Sequence, residues 1–198
     1  MPGNNFDGGF AEYYKAEAKD AFHLPEEIPL QEGCIIADAI TTPFHAVKNR
    51  AQVKPGDTVV VFGCGGIGLN MVQMAAAVGG SVIAVDLMNS KLELAKKFGA
   101  VATVNPSEVE NTPKAIRKLT GGGADISIEC IGNPKTMEQA VDCLRTGGRF
   151  VMVGYTEKPM NLNASRVMYR ELDVVGSLGC GMVDYPKCIE MVRIGKIQ

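Results

Sequence analysis

Several features that would place this chain outside the ordinary globular classes are missing. Its six cysteines, at 34, 64, 130, 143, 180 and 188, include no Cys-x-x-Cys pair and no closely spaced Cys and His, which excludes a zinc knuckle. There is no basic run: 20 Lys and Arg face 22 Asp and Glu, for a formal net charge of -2. Nothing tracks a phosphate backbone, so nucleic acid is not an expected partner. The opening MPGNNFDGGF lacks the basic and apolar regions of a signal peptide, so the thiols are expected to stay reduced in a cytoplasm. No internal repeat or low-complexity tract is present.

Charge is absent altogether from residues 58 to 85, a run long enough to span a bilayer if helical. The run nevertheless holds six glycines, with Asn70 and Gln73 inside it. Its composition passes from β-branched (VVVF) to Met and Ala and back to β-branched (SVIAV). A buried strand, helix and strand accounts for that pattern, and no membrane partner is expected.

What is present reads as an α/β domain. A chain of 198 residues suits one domain, or one domain with an appendage, and buries roughly 70% of its unfolded surface. From Thr58 on, six short β-rich runs (TVVVFG, SVIAVD, ATVN, ADISIEC, GRFVMVG and ELDVVGSL) mostly alternate with helix-like segments, as in a parallel sheet covered on both faces. Ser90-x-x-Glu93 reads as a capping box ahead of a helix closing on Gly99. Thr112-Pro113 and Asn133-Pro134 each place a capping side chain before a proline suited to the first helical position. A further helix is expected over 184–195. These elements predict a doubly wound, six-stranded Rossmann sheet. The first forty residues differ: they are polar and proline-punctuated, with at most one short strand before a helical segment over roughly 36–51.

The chemistry-bearing stretch is GCGGIGLNMVQMAAAVGGSVIAVDLMNSK, residues 63–91. Gly63-x-Gly65-x-x-Gly68 follows a predicted strand and opens a predicted helix. The first glycine allows a tight turn, the second lets a pyrophosphate approach the backbone, and the third lets helix and strand pack closely. Free N–H groups and the positive end of the helix dipole favour the anion. Asp86 lies eighteen residues beyond the last glycine, at the end of the next strand, where an acid accepts hydrogen bonds from ribose hydroxyls. The same carboxylate repels a 2′-phosphate, and Leu87 and Met88 supply no arginine to neutralise one. NAD is therefore expected over NADP. The competing reading is that the glycines only shape a turn and Asp86 is a solvated strand-end acid.

TTPFHAVKNRAQVKPGDTVVVFGCGGIGLNMVQMA, with VDLMNSKLELAKKFGA and IECIGNP further on, resembles the medium-chain dehydrogenase/reductase superfamily, the zinc-type alcohol dehydrogenases in particular. The resemblance implies that Gly63, Gly65, Gly66 and Gly68 line the pyrophosphate and that Ile67 packs behind the nicotinamide. It implies that Asp86 with Lys91 holds the adenosine ribose, and that backbone near Val153, Ser177 and Gly179 binds the carboxamide. Thr42 matches a threonine beside the nicotinamide ring. Asp38 stands where alcohol dehydrogenases carry a zinc-binding cysteine, and a carboxylate can ligate zinc; an acid favoured by a helix N-terminus is the other reading of it.

The same resemblance implies that residues 1–38 are the remnant of a GroES-like substrate domain and 39–198 the cofactor domain. The early zinc-binding Cys and His-Glu pair of complete members are not in this sequence, so zinc belongs to a full-length parent rather than to this chain alone. The expected parent activity is hydride transfer between an alcohol or carbonyl and NAD, with this chain inactive by itself. Two alternatives stand beside it: a zinc-free quinone or enoyl reductase, and a non-catalytic nucleotide-binding module. His23 and His45 have no identifiable relay partner and read as structural. MNLNASRVMYRELD, before the last strand, matches a region that pairs across a dimer axis, so a homodimer is a further expectation.

Overall fold

The computed structural model describes residues 3 and 5–198. The β-branched runs form six strands: β1 Thr58–Phe62, β2 Ser81–Val85, β3 Ala100–Val104, β4 Ala124–Glu129, β5 Leu144–Met152 and β6 Asp173–Gly176. All pair in parallel, in the order β3-β2-β1-β4-β5-β6. The expected doubly wound Rossmann sheet is therefore present. Alternation along β1 explains why its run is apolar throughout. Val59 and Val61 face a core shared with Met71, Met74 and Ala75, whereas Val60 and Phe62 face one shared with Ile116, Met137 and Phe150. A strand buried on both faces leaves no position for a charge without hydrogen-bonding partners.

The helices are α1 Leu30–Gly33, α2 Thr41–Phe44, α3 Gly66–Ala77, α4 Asn89–Lys97, α5 Thr112–Leu119, α6 Pro134–Asp142, α7 Ala164–Tyr169 and α8 Tyr185–Arg193. α3 and α4 cover one face of the sheet, and α5 and α6 the other. α2 runs directly into a π-helical stretch, His45–Ala51. Arg149 donates to the carbonyls of Arg50 and Ala51, tying the end of that stretch to β5.

Three local expectations need correction. The Ser90/Glu93 capping box does not form: Met88 stands at the N-cap, two residues earlier, with the N–H groups of Lys91 and Leu92 both donating to Met88 O. Glu93 instead accepts from Lys96 at 2.7 Å. α5 is capped by Asn111, whose side chain accepts from Lys114 N at 2.8 Å, so Thr112 lies buried inside the helix. The helical segment expected from about residue 36 is interrupted at Asp38, whose φ of -141° departs from helical values. The cap at Asn133 and the helix within 184–195 are found where expected.

Residues 5–40 hold only short turns besides α1. Ile28, Ile36 and Ile40 anchor them in the core, Phe22 stacks on Tyr185, and the Tyr185 hydroxyl donates to Ala37 O. No helix among the described residues is long and apolar enough to cross a membrane.

Candidate functional site

Six residues stand one position beyond the carboxyl ends of the six strands: Gly63, Asp86, Asn105, Cys130, Val153 and Ser177. In an open parallel sheet this edge carries the ligand crevice, at the point where strand order reverses. That point here lies between β1 and β4.

The glycine turn is built as its spacing predicts. Gly63 takes a φ of +91°, which a side chain would strain. A Cβ on Gly68 would lie 1.7 Å from Gly63 O, so the start of α3 fits against the turn only as glycine. Gly65 and Gly66 differ: both are exposed, and a Cβ on either would meet nothing within 4 Å. Their small size leaves open space beside the helix start. Ile67 is partly buried against the core.

Of the helices that follow β1 to β4, α3 and α4 lack a side-chain N-cap, and α3 alone is opened by glycine. The Asn111 side chain caps α5 and that of Asn133 caps α6. Asp86 Oδ1 accepts from Met88 N at the entry to α4. α3 has glycine at its N-cap, so no side chain closes it, and its first-turn N–H groups have no intrahelical partner. Unpaired donors at the positive end of a helix dipole form a ready anion site.

Asp86 joins this helix start to the next strand. Its Oδ2 accepts from Cys64 N at 2.8 Å, and Lys91 Nζ lies 3.9 Å from the same oxygen. Burial first, then the Asp86 carboxylate, pushes the Cys64 thiol up to about 12. It is protonated at neutral pH and is a packing group rather than a nucleophile. Leu87 and Ile131 are exposed apolar side chains on the strand-end loops beside Asp86 and Gly63.

Val153, Ser177 and Gly179 lie on the other side of the switch point. Val153 N donates to Glu129 O, and Ser177 N donates to Met152 O. The Ser177 hydroxyl is buried and finds no partner among the described residues. Glu129 was not recognised from the sequence as a site residue. It is fully buried, and its carboxylate accepts from Ile131 N, Gly132 N and the Thr136 hydroxyl. Ile131 packs on Gly63, so one carboxylate fixes a wall that reaches from the glycine turn to Val153. A buried acid ending a strand just ahead of an Ile-Gly-Asn turn was the available signal.

Thr42 and Asp38 pair with each other: the Thr42 hydroxyl donates to Asp38 Oδ1 at 2.8 Å. α2, which carries Thr42, packs against α3. Among the described residues no group of three or more His, Cys, Asp or Glu could hold a metal ion. His23 is exposed, and His45 is half-buried with its Nδ1 3.1 Å from Asn49 Nδ2.

The sheet, the uncapped glycine helix and the strand-end acid define a Rossmann-type α/β domain. Residues 66–193 match the family described as zinc-binding dehydrogenase, and the chain belongs to that family, within the zinc-type medium-chain dehydrogenases. It is similar to D-xylulose reductase A of Aspergillus niger, with 36% identity over 97% of this chain and 54% of that protein. A crystal structure of a NAD-dependent alcohol dehydrogenase matches with a TM-score of 0.89 and 29% identity, over 97% of this chain and 56% of that one. A protein of Sinorhizobium meliloti 1021 solved bound to NADP matches with a TM-score of 0.88 and 31% identity, over 98% and 57%. The chain spans about half the length of the relatives it matches.

Proposed function

We propose that this chain is the cofactor-binding part, over residues 39–198, of an alcohol dehydrogenase-like oxidoreductase that passes hydride between an alcohol or carbonyl and NAD. The observation that carries the reading is the joint at Asp86: a strand-end carboxylate bonded into a glycine turn whose helix start is open and uncapped. A pyrophosphate fits the amides of Gly65, Gly66 and Gly68, and the ribose hydroxyls donate to Asp86 beside Lys91. Leu87 and Ile131 offer apolar sides to the adenine, while Ile67, Val153, Ser177, Gly179 and Thr42 surround the nicotinamide. A bound nicotinamide supplies the hydride chemistry; the chain binds and orients it.

NAD is favoured over NADP because Asp86 meets a 2′-phosphate with like charge. The similarity to a NAD-dependent enzyme supports this choice, and the similarity to a protein bound to NADP makes it worth testing. Zinc does not fit the residues assembled here: Asp38 is one carboxylate already engaged by Thr42, and among the described residues no group of three or more His, Cys, Asp or Glu is placed to hold a metal ion. We read zinc as held by a longer parent, to which this chain would offer Asp38, with no dehydrogenase turnover expected from the chain alone. Residues 1–38 are read as the edge of a substrate domain. Six unpaired thiols suit a reducing cytoplasm.

The deciding experiment is calorimetric titration with NAD and NADP, with Asp86→Ala beside the unsubstituted chain. Saturable NAD binding that the substitution weakens, with NADP poorer, supports the reading. A preference for NADP favours the reductase branch, and no binding by a folded chain favours a module without cofactor.

β6 is an edge of the sheet, and Met168, Tyr169 and Leu178 beside it are exposed. An open edge with apolar flanks invites pairing with a second copy. Light scattering is expected to return about twice the 21.1 kDa chain mass. A monomer mass removes the pairing.

A further inference from the structure

We propose that Asn105 is a positioning residue that sets cofactor specificity: it locks the loop 87–89 in a shape that admits a ribose 2′-hydroxyl and refuses a 2′-phosphate. The proposal rests on Asp86 being the ribose acid, and it adds a second determinant that lies on the neighbouring strand.

Asn105 follows β3 directly and is 7% exposed. Its Nδ2 donates to Leu87 O at 3.2 Å, to Asn89 Oδ1 at 2.7 Å and to Glu108 Oε1 at 3.3 Å. Its Oδ1 accepts from the N–H and the hydroxyl of Ser107 at 2.9 and 2.7 Å. Asn89 Nδ2 in turn donates to Glu108 Oε1 at 2.7 Å. Every hydrogen-bonding position of this amide is in use, and a buried amide so placed tolerates little displacement of its partners.

The loop that the amide holds is the one a 2′-phosphate would have to move. Leu87 is pinned through its carbonyl, Met88 through its N–H on Asp86 Oδ1 at 2.9 Å, and Asn89 through its side chain. The charged groups here are Asp86, Lys91 and Glu108. Lys91 faces Asp86, whereas Glu108 is tied to Asn89 and adds negative charge to the far side of the loop. A phosphate in place of a hydroxyl would need more room and a free cation; the lock denies the first, and the pairing of Lys91 limits the second. Specificity is a difference between two affinities, so holding this loop closed acts on NADP far more than on NAD.

The test measures dissociation constants for NAD and NADP in the unsubstituted chain, Asn105→Ala, Glu108→Ala and Asp86→Ala, each checked for folding by circular dichroism. Asn105→Ala is expected to narrow the NADP-to-NAD ratio by about fivefold or more, chiefly through better NADP binding. Glu108→Ala, at an exposed position, is expected to narrow it in the same direction and keeps the test open if Asn105→Ala does not fold. Equal losses for both cofactors, or unchanged ratios while Asp86→Ala weakens NAD, overturn the proposal and leave the Asp86 reading standing. If Asp86→Ala leaves both affinities unchanged, the Asp86 reading fails and takes this proposal with it.

Discussion

The carboxylate of Asp86 accepts the main-chain N–H of Cys64 at 2.8 Å, bridging the end of β2 and the glycine turn after β1. Asp86 therefore holds the shape of the turn as well as standing where the proposed ribose would lie. Asp86→Ala is expected to weaken NAD by about tenfold or more, since hydrogen bonds to a charged group are worth about 1.5–3 kcal/mol each. Asp86→Asn, which retains one oxygen for Cys64 N, is expected to recover part of that loss. Calorimetry on both variants checks it; equal affinities for the two would separate the turn from binding.

The glycines separate folding from binding. At Gly66 a Cβ has open space, so Gly66→Ala is expected to fold and to gain roughly 0.5 kcal/mol from a less flexible unfolded chain. It should nevertheless lose NAD, because the methyl occupies the space read as the pyrophosphate's. At Gly68 the Cβ would meet Gly63 O at 1.7 Å, so Gly68→Ala is expected to cost about 2–3 kcal/mol of stability. Thermal melting paired with NAD titration distinguishes the two, and a Gly66→Ala protein that binds NAD normally would remove the phosphate cradle.

The sheet is legible in the sequence chiefly through β1, β2 and β4, which are buried on both faces and so are apolar and β-branched for most of their length. The glycine turn and the strand-end position of Asp86 were legible too, because both depend on short-range order along the chain. Helix starts were harder to read. Ser90 and Glu93 have capping-box spacing, yet Asp86 receives Met88 N and Asn105 grips Asn89, and the N-cap of α4 falls two residues earlier, at Met88. At α5 the Asn111 side chain takes the cap by accepting from Lys114 N, and Thr112 becomes the first helical residue and is buried. Asn105 and Glu129 were not legible as site residues, because their partners are set by tertiary placement and by main-chain groups that sequence does not reveal.

Acid should loosen the parts of the domain away from the crevice. Burial pushes the Asp125 carboxyl up, but Thr58 N–H and the Arg145 guanidinium outweigh it and hold the group below the usual carboxylate range. The Lys187 ammonium, against some burial and aided by Asn49, does the same for Asp184. A carboxyl depressed in the folded state contributes stability that is present above its unfolded pKa and is lost as pH falls through the folded one. Stability is therefore expected to be flat near neutrality and to fall below about pH 4. Asp125→Asn should flatten part of that acid limb in denaturant titrations at several pH values; an unchanged limb would mean the Asp125 pairing contributes nothing.

Glu129 offers the sharpest separation of wall from fold. Its carboxylate receives three main-chain N–H groups, of Ile131, Gly132 and Asn133, and the Thr136 hydroxyl, and it is fully buried. Glu129→Ala strands those donors, each at about 1–3 kcal/mol, so a loss of about 3–5 kcal/mol is expected. Glu129→Gln retains one acceptor oxygen but turns an NH2 group toward a donor-rich turn, so it should fold with a smaller loss and a displaced Ile131. Ile131 rests on Gly63, and Val153 hangs from Glu129 O, so the displaced wall should cost NAD affinity beyond what lowered stability explains. Measuring NAD affinity well below the melting temperature isolates that contribution. Native affinity in a folded Glu129→Gln protein would make Glu129 a folding residue alone, with the cofactor wall held by other contacts.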